Sequence, residues 1–341
     1  SRHAAILDKR RIFHGVREPR IMRAIQIAAP RKVTFLDAPK PELQDGDVLV
    51  QCKYVGLCGS NMGQYSGEGV WGCLHFPNPA GWAGHENIGT IVESRCAGLE
   101  PGTLVLAQPE GYHGFAEFIR ARPPGVVALP ADAPDVAALI VAQPLSTVLR
   151  AMTQTEHVIN QRCAVIGADP MGLIGVHTLR QMGARQVIAT DLLDWRLEWA
   201  KRFGAEAVID ASKEKVVDVV RELTGGQMLD FVVNAAAPPE SLSTAAYLLK
   251  RGGRLFVFGM PDHNDQKFPW HATFRNETKI INSVGPECSA FFQIAVDMMV
   301  DGRASALGAM VTPRLPWDQA PKAFAMYAEC ARDSLKLVLE L

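Results

Sequence analysis

The stretch that decides the fold runs Cys163-Ala-Val-Ile-Gly167-Ala-Asp169-Pro170-Met171-Gly172-Leu-Ile-Gly175 and, after a helical run, Val187-Ile-Ala-Thr-Asp191. Its first four residues lead straight into a glycine turn, the pattern of a strand buried on both faces. Leu173, Val176, Leu179 and Met182 then recur at helical spacing until Gly183 stops the run. A second apolar strand ends at Asp191. Strand, glycine turn, helix and strand form the unit that binds dinucleotides. Gly167 and Gly172 permit the tight turn and a close approach of backbone to pyrophosphate. The helix start at Pro170, Met171 and Gly172 faces the phosphates, and the helix N-terminus offers them free N–H groups. Asp191 stands about 20 residues beyond the turn, where a carboxylate accepts the hydroxyls of an adenosine ribose. A carboxylate repels a 2′-phosphate, so Asp191 favours NAD over NADP; Arg196 nearby argues the other way. Asp169 stands where the G-x-G-x-x-G pattern has glycine. Either it crowds and repels the pyrophosphate, or it caps the helix and points away.

The remaining composition bounds the answer. A chain of 341 residues, 48% apolar and 21% charged, has room for about two domains. A net charge of −1 gives no electrostatic reason to expect nucleic acid or an anionic membrane as partner. No apolar run approaches the ~20 residues of a transmembrane helix. The seven cysteines are scattered without C-x-x-C pairs, which argues against a disulfide framework and for a reducing, cytoplasmic location. Residues 1–21 are basic and aperiodic and read as an N-terminal extension, with the fold starting at Met22.

Short strands are expected at 23–28, 33–36, 47–55, 88–93, 103–107 and 115–120, separated by Pro and Gly turns, as in a β-barrel-like domain. From about Ser146 helix and strand alternate. Strands at 163–166, 187–190, 207–209, 230–234, 255–258 and 279–284 suit a doubly wound parallel sheet. Trp195, Trp199 and Phe203 share one helix face and read as core. A helix is expected around 291–300, and the tail at 336–341 needs the β domain's sheet to join.

The chemistry-bearing residues lie in the β-rich half. Cys58-Gly-Ser60-Asn61 follows the 47–55 strand, and Gly84-His85-Glu86 precedes the 88–93 strand. Thiolate, imidazole and carboxylate suit zinc, and three protein ligands leave the open position of a catalytic site. Taken alone, such distant residues read as a free cysteine and a surface His-Glu pair. Cys73 and His75 are further candidate ligands or plain loop residues. Trp71 and Trp82 flank a pocket or pack, Tyr112-His113 reads as a turn, and His157, His177 and His263 show no partner.

These landmarks occur together with Gly46-Asp47-Val48-Leu49-Val50, Val55-Gly-Leu-Cys-Gly-Ser60, Gly114-Phe115-Ala116-Glu117, Gln143-Pro144-Leu145, Gly252-Gly253 and the Lys336-Leu-Val-Leu close. In this order the chain, from about Met22 to Leu341, resembles the medium-chain dehydrogenase/reductase superfamily, in its zinc-dependent alcohol and polyol dehydrogenase branch. The resemblance implies an α/β architecture: a split GroES-like β-barrel catalytic domain (22–146 and 287–341) around a Rossmann NAD-binding domain (147–286). It implies dimers or tetramers, paired through the last Rossmann strand. It further implies a hydride exchanged between a secondary alcohol or polyol and NAD. Cys58, His85, Glu86 and the Gln143 position would surround one catalytic zinc, and Ser60 would start the proton relay.

Five departures qualify this. Gln143 replaces a Cys, Glu or Asp ligand, and Asn61 an Asp that braces the histidine. Gly63 replaces a relay histidine, Asp169 a glycine, and the four-cysteine structural zinc lobe between Pro101 and Gly114 is missing. They leave open a second expectation: a zinc-free NAD(P)H reductase or non-catalytic dinucleotide-binding protein on the same fold.

Overall fold

The computed structural model describes residues 21–68, 75–259, 267–285 and 290–341. Residues 1–20, Trp71, Cys73 and His263 therefore lie outside the described residues. Strand β1 (Ile21–Ala29) starts one residue before Met22 and folds back antiparallel onto β2 (Lys32–Pro39) through a turn in which Arg31 is left-handed. Strand β3 (Val48–Gly56) is followed by helix α1 (Ser60–Ser66). Next come β4 (Asn87–Ser94), β5 (Leu104–Ala107), β6 (Phe118–Ala121) and β7 (Val126–Ala128). The strand expected at 115–120 begins later, because Ala116 makes only a single bridge to Ala24 while Phe115 serves the backbone of Ile25.

Helix α2 (Ala142–Met152) carries Gln143-Pro144 in its first turn, and the domain boundary expected at 146/147 falls inside it. The parallel sheet follows: β8 (Arg162–Ile166), α3 (Pro170–Gln181), β9 (Gln186–Asp191), α4 (Asp194–Arg202), β10 (Ala207–Asp210), α5 (Val216–Leu223), β11 (Leu229–Asn234), α6 (Pro239–Tyr247), β12 (Leu249–Val257), α7 (Trp270–Arg275) and β13 (Lys279–Asn282). The spatial order is β10-β9-β8-β11-β12-β13, all parallel, so the winding reverses between β8 and β11 and opens a crevice there. Alternation along β8 shows both faces covered. Cys163 and Val165 pack with residues of α2 and α3, whereas Ala164 and Ile166 pack with residues of α5 and α6. Strand β12 begins earlier than expected, at Leu249. Its ladder slips at Gly252-Gly253, where Gly252 takes φ +72, and resumes at Arg254. Strand β13 stops short of Val284.

Trp195 and Phe203 are buried and Trp199 half-buried, as their spacing implied. The chain closes with α8 (Ala290–Val300), β14 (Arg314–Pro316), α9 (Ala320–Ala328) and β15 (Val338–Glu340). Strand β15 pairs antiparallel with β3, so the tail joins the sheet ordered β14-β15-β3-β4-β5-β7. No helix among the described residues is long and apolar enough to cross a membrane.

Candidate active site

The antiparallel ladder of β3 and β4 brings the distant motifs together. Val55 pairs with Asn87, and the Gly56 N–H donates to the Glu86 carbonyl at 2.9 Å, so the end of β3 meets the residues entering β4. Cys58, His85 and Glu86 thereby offer ligand atoms all within 4.8 Å of one another. Gly56 is required there, because a Cβ would stand 2.4 Å from Glu86 Oε2. The His85 Nδ1–H donates to the Ala83 carbonyl at 3.0 Å, which leaves Nε2 for a ligand. Burial pushes the Cys58 thiol up, but the His85 hydrogen bond and charge outweigh it and hold it below its ordinary value. Burial likewise works against charge on His85, and the Cys58 thiolate lifts it to about 9. Each side chain thus favours the charged form of the other, and a divalent cation held there would take the place of the proton between them.

Two side chains brace the cluster. Asn61 Oδ1 accepts from the Cys58 N–H at 2.8 Å, and its Nδ2 donates to the Ala83 carbonyl at 2.9 Å. The amide thus ties the cysteine loop to the carbonyl that orients His85, a double role no carboxylate can fill, since it cannot donate. Lys336, buried two residues before β15, donates to both Glu86 oxygens at 2.7 and 2.8 Å and to the Leu57 carbonyl at 3.1 Å. Burial opposes its charge, but Glu86 raises its pKa above the ordinary value. Glu86 therefore stands in the cluster with both oxygens engaged by Lys336. A thiolate, an imidazole and a carboxylate at one point suit zinc. Ser60 is exposed at the first turn of α1, and Gln143 is buried, and both line the same cleft.

The opposite wall is the crevice at β8 and β11. Gly167 takes φ +91, and a Cβ on Gly172 would stand 1.8 Å from the Gly167 carbonyl oxygen, so both glycines are geometric requirements. Asp169 resolves to the capping alternative: its Oδ1 accepts the Gly172 N–H at 2.9 Å. It nevertheless lines the cleft, and burial raises its pKa. It competes for a donor that a phosphate uses, and Pro170 brings no N–H of its own. Met171 also lines the cleft. The Asp191 carboxylate accepts the Ala168 N–H at 2.7 Å and the Leu193 N–H at 3.0 Å, with Arg196 3.9 Å away. Gly167, Gly172 and Asp191 fit a dinucleotide. Asp169 fits it only in part.

The two walls enclose a cleft of about 1250 Å³. Of the two readings of Trp82, pocket wall or packing residue, the structure places it in the cleft lining. Tyr112 was read only as a turn, yet its ring also lines the cleft, edge-on to His85 at 6.1 Å. His113 serves the Ala80 carbonyl, His177 the Arg303 carbonyl, and His157 is exposed away from the site. Sequence reasoning missed the side chains of Lys336, Tyr327 and Gln64. A lysine inside the apolar run Leu335-Lys-Leu-Val-Leu339 was the available signal, because a buried ammonium requires a carboxylate. Tyr327 also lines the cleft, 3.8 Å from where a Gly59 Cβ would stand. Burial, then the negative charges of Cys58, Asp169 and Glu86, raise its pKa well above the ordinary value.

Comparison with known proteins matches this layout. The alcohol dehydrogenase GroES-like domain matches residues 44–130, and the zinc-binding dehydrogenase domain matches residues 170–301. D-xylulose reductase A of Aspergillus oryzae is 30% identical over 326 residues, covering 86% of this chain and 90% of that protein. The chain belongs to the zinc-dependent medium-chain dehydrogenase/reductase superfamily. Sorbitol dehydrogenase of Bacillus subtilis is 28% identical, covering 72% of this chain and 77% of that one. An alcohol dehydrogenase from Thermus sp. ATN1 shares the fold with a TM-score of 0.81 at 24% identity, covering 94% of this chain and 99% of that one. The superfamily member described here is accordingly an oxidoreductase of the alcohol and polyol dehydrogenase kind.

Proposed function

We propose that this chain is a zinc-containing, NAD-linked dehydrogenase that interconverts a secondary alcohol or polyol and its ketone. One observation carries the reading: Cys58, His85 and Glu86 converge within 4.8 Å on a cleft whose other wall is the Gly167–Gly172 turn and Asp191. Cys58 and His85 would hold the zinc, with Glu86 and Gln143 beside it. Bound zinc supplies Lewis acidity toward a substrate oxygen. Bound NAD supplies the hydride acceptor.

The chain's own residues do the rest. Ser60, at the cleft-facing start of α1, takes the alcohol proton at its hydroxyl and passes it outward. The Asn61 amide fixes the cysteine loop against the Ala83 carbonyl, and that carbonyl fixes the tautomer of His85. Cys58 and Glu86 bring two negative charges and Lys336 returns one positive charge. A divalent cation there keeps surplus positive charge, which favours the deprotonated alcohol. Trp82 and Tyr112 shield the reacting end from water. Asp191 accepts the adenosine ribose, which favours NAD. The same reading carries a homodimer through β13, the edge strand of the parallel sheet, beside which Trp270 and Phe274 are 68% and 85% exposed. Sedimentation velocity reads this out.

The test is elemental analysis of protein purified without added metal, paired with Cys58→Ser. About one zinc per chain is expected in the wild type and none in the variant. Turnover of a polyol panel should fall by more than ~100-fold, beyond the cost of losing an outer partner of a ligand. Undiminished turnover in Cys58→Ser overturns the zinc-based reading. Wild-type protein that binds NADH but turns over no alcohol or polyol leaves the binding-protein alternative, which Asp169 favours.

A further inference from the structure

Buried polar side chains that lack partners are uncommon in folded proteins and call for an explanation. Gln64 is one of them. It is 2% exposed, and among the described residues neither its Oε1 nor its Nε2 has a hydrogen-bond partner. Asn78 is the other buried amide with both ends unpaired among the described residues, but it lies away from the cleft, whereas Gln64 lines it. Gln64 sits on α1 four residues after Ser60, so the two side chains share one helix face. Gly63, between them and also lining the cleft, adds no side chain to block that face. Tyr65 anchors the next position in the core, its ring 5.5 Å from Phe324, so the helix cannot turn Gln64 out to solvent without unpacking.

The chemistry of the amide narrows what it meets. It offers one acceptor and two donors. A carboxylate or phosphate satisfies only Nε2 and an ammonium only Oε1. A group that both donates and accepts, as a hydroxyl does, matches both ends. We propose that Gln64 is a hydroxyl-recognition residue: its amide receives a hydroxyl of a cleft ligand lying beyond the group that Ser60 meets. This rests on the dehydrogenase reading above. That hydroxyl has two possible sources, the second hydroxyl of a vicinal diol or polyol substrate and a ribose hydroxyl of the dinucleotide.

Gln64→Leu tests the proposal and separates the sources. Propylene glycol and isopropanol present the same secondary alcohol and differ by one neighbouring hydroxyl. If the substrate is the source, kcat/KM for propylene glycol falls about 10-fold or more, while isopropanol stays within about two-fold. If the ribose is the source, the NADH Kd from fluorescence titration rises about 10-fold and both alcohols suffer alike. In either case the melting temperature rises by about 2–4 °C, because an unsatisfied buried amide has been removed. Unchanged kinetics together with an unchanged NADH Kd overturn the proposal, and a fall in melting temperature would then mark Gln64 as a packing residue. If the wild type turns over neither these alcohols nor any member of the polyol panel, the dehydrogenase reading fails separately. The substrate source fails with that reading, and the NADH titration decides for the ribose source: a raised Kd upholds the role of the amide and an unchanged one overturns it.

Discussion

Each wall of the cleft holds a carboxylate, and the two are treated differently. Glu86, on the β-sheet wall, has both oxygens on the Lys336 ammonium at 2.7 and 2.8 Å, so its charge is met by a full countercharge in contact. Asp169, on the Rossmann wall, accepts one backbone N–H from Gly172. Arg196 acts on it only through space, and burial raises its pKa. In the first wall a metal would displace only the proton between Cys58 and His85, and the Glu86–Lys336 contact stays as it is. The second holds its turn with the same N–H that a pyrophosphate would take, so cofactor binding there works against an internal contact.

Breaking the Glu86–Lys336 pair should have the largest effect. Lys336→Met leaves an uncompensated buried charge and should cost about 3–5 kcal/mol of stability in urea denaturation. The double variant Lys336→Met with Glu86→Gln should recover most of it. A loss below about 1 kcal/mol would show that the pair is dispensable and would erase the contrast between the walls.

The next effect sharpens the account of the first wall. Asn61→Asp restores the residue common in the superfamily, yet a carboxylate cannot donate to the Ala83 carbonyl. It keeps its hold on the Cys58 N–H and releases the His85 side. Zinc affinity, measured by chelator competition, should fall about 10–100-fold. Tighter zinc binding would mean that added negative charge matters more than the clamp.

The smallest effect addresses the second wall. Asp169→Asn keeps the cap and drops the charge. NAD affinity near neutral pH should rise about 2–5-fold, the size of one charge at a helix N-terminus. The sign with pH follows from the raised pKa of Asp169. As pH falls through that value the wild-type carboxyl becomes neutral, so wild-type affinity climbs toward that of the variant and their ratio narrows. Calorimetric titration across the acid-to-neutral range reads this out, and a ratio independent of pH would remove Asp169 from the account.

Much of this was legible beforehand because it rests on local chemistry. The β8–turn–α3–β9 unit follows from apolar runs and glycines, and the two glycines prove sterically necessary. Cys58, Ser60 and His85 stood out through motif order along the chain. Asp169 was recognised as anomalous, but its two readings could not be separated, since capping depends on a rotamer. Asn61 was read as a loss of bracing, and the fold instead uses it as a two-sided clamp through the Ala83 carbonyl. Tyr112 was read as a turn because nothing in its neighbours reveals that its ring reaches His85.

The sequence by itself determined the strand periods, the glycine turn, the ligand-bearing residue types and the superfamily, all set by spacing within a few residues or by the order of motifs. Only the tertiary structure decided which partners complete the site. Lys336 meets Glu86 across 250 positions of chain, and Asn61 meets the Ala83 carbonyl across 22. The Gln64 amide finds no hydrogen-bond partner among the described residues although it is buried beside the cleft. Contact between distant residues, and the lack of it, depends on how sheets and helices pack, and no local pattern encodes that.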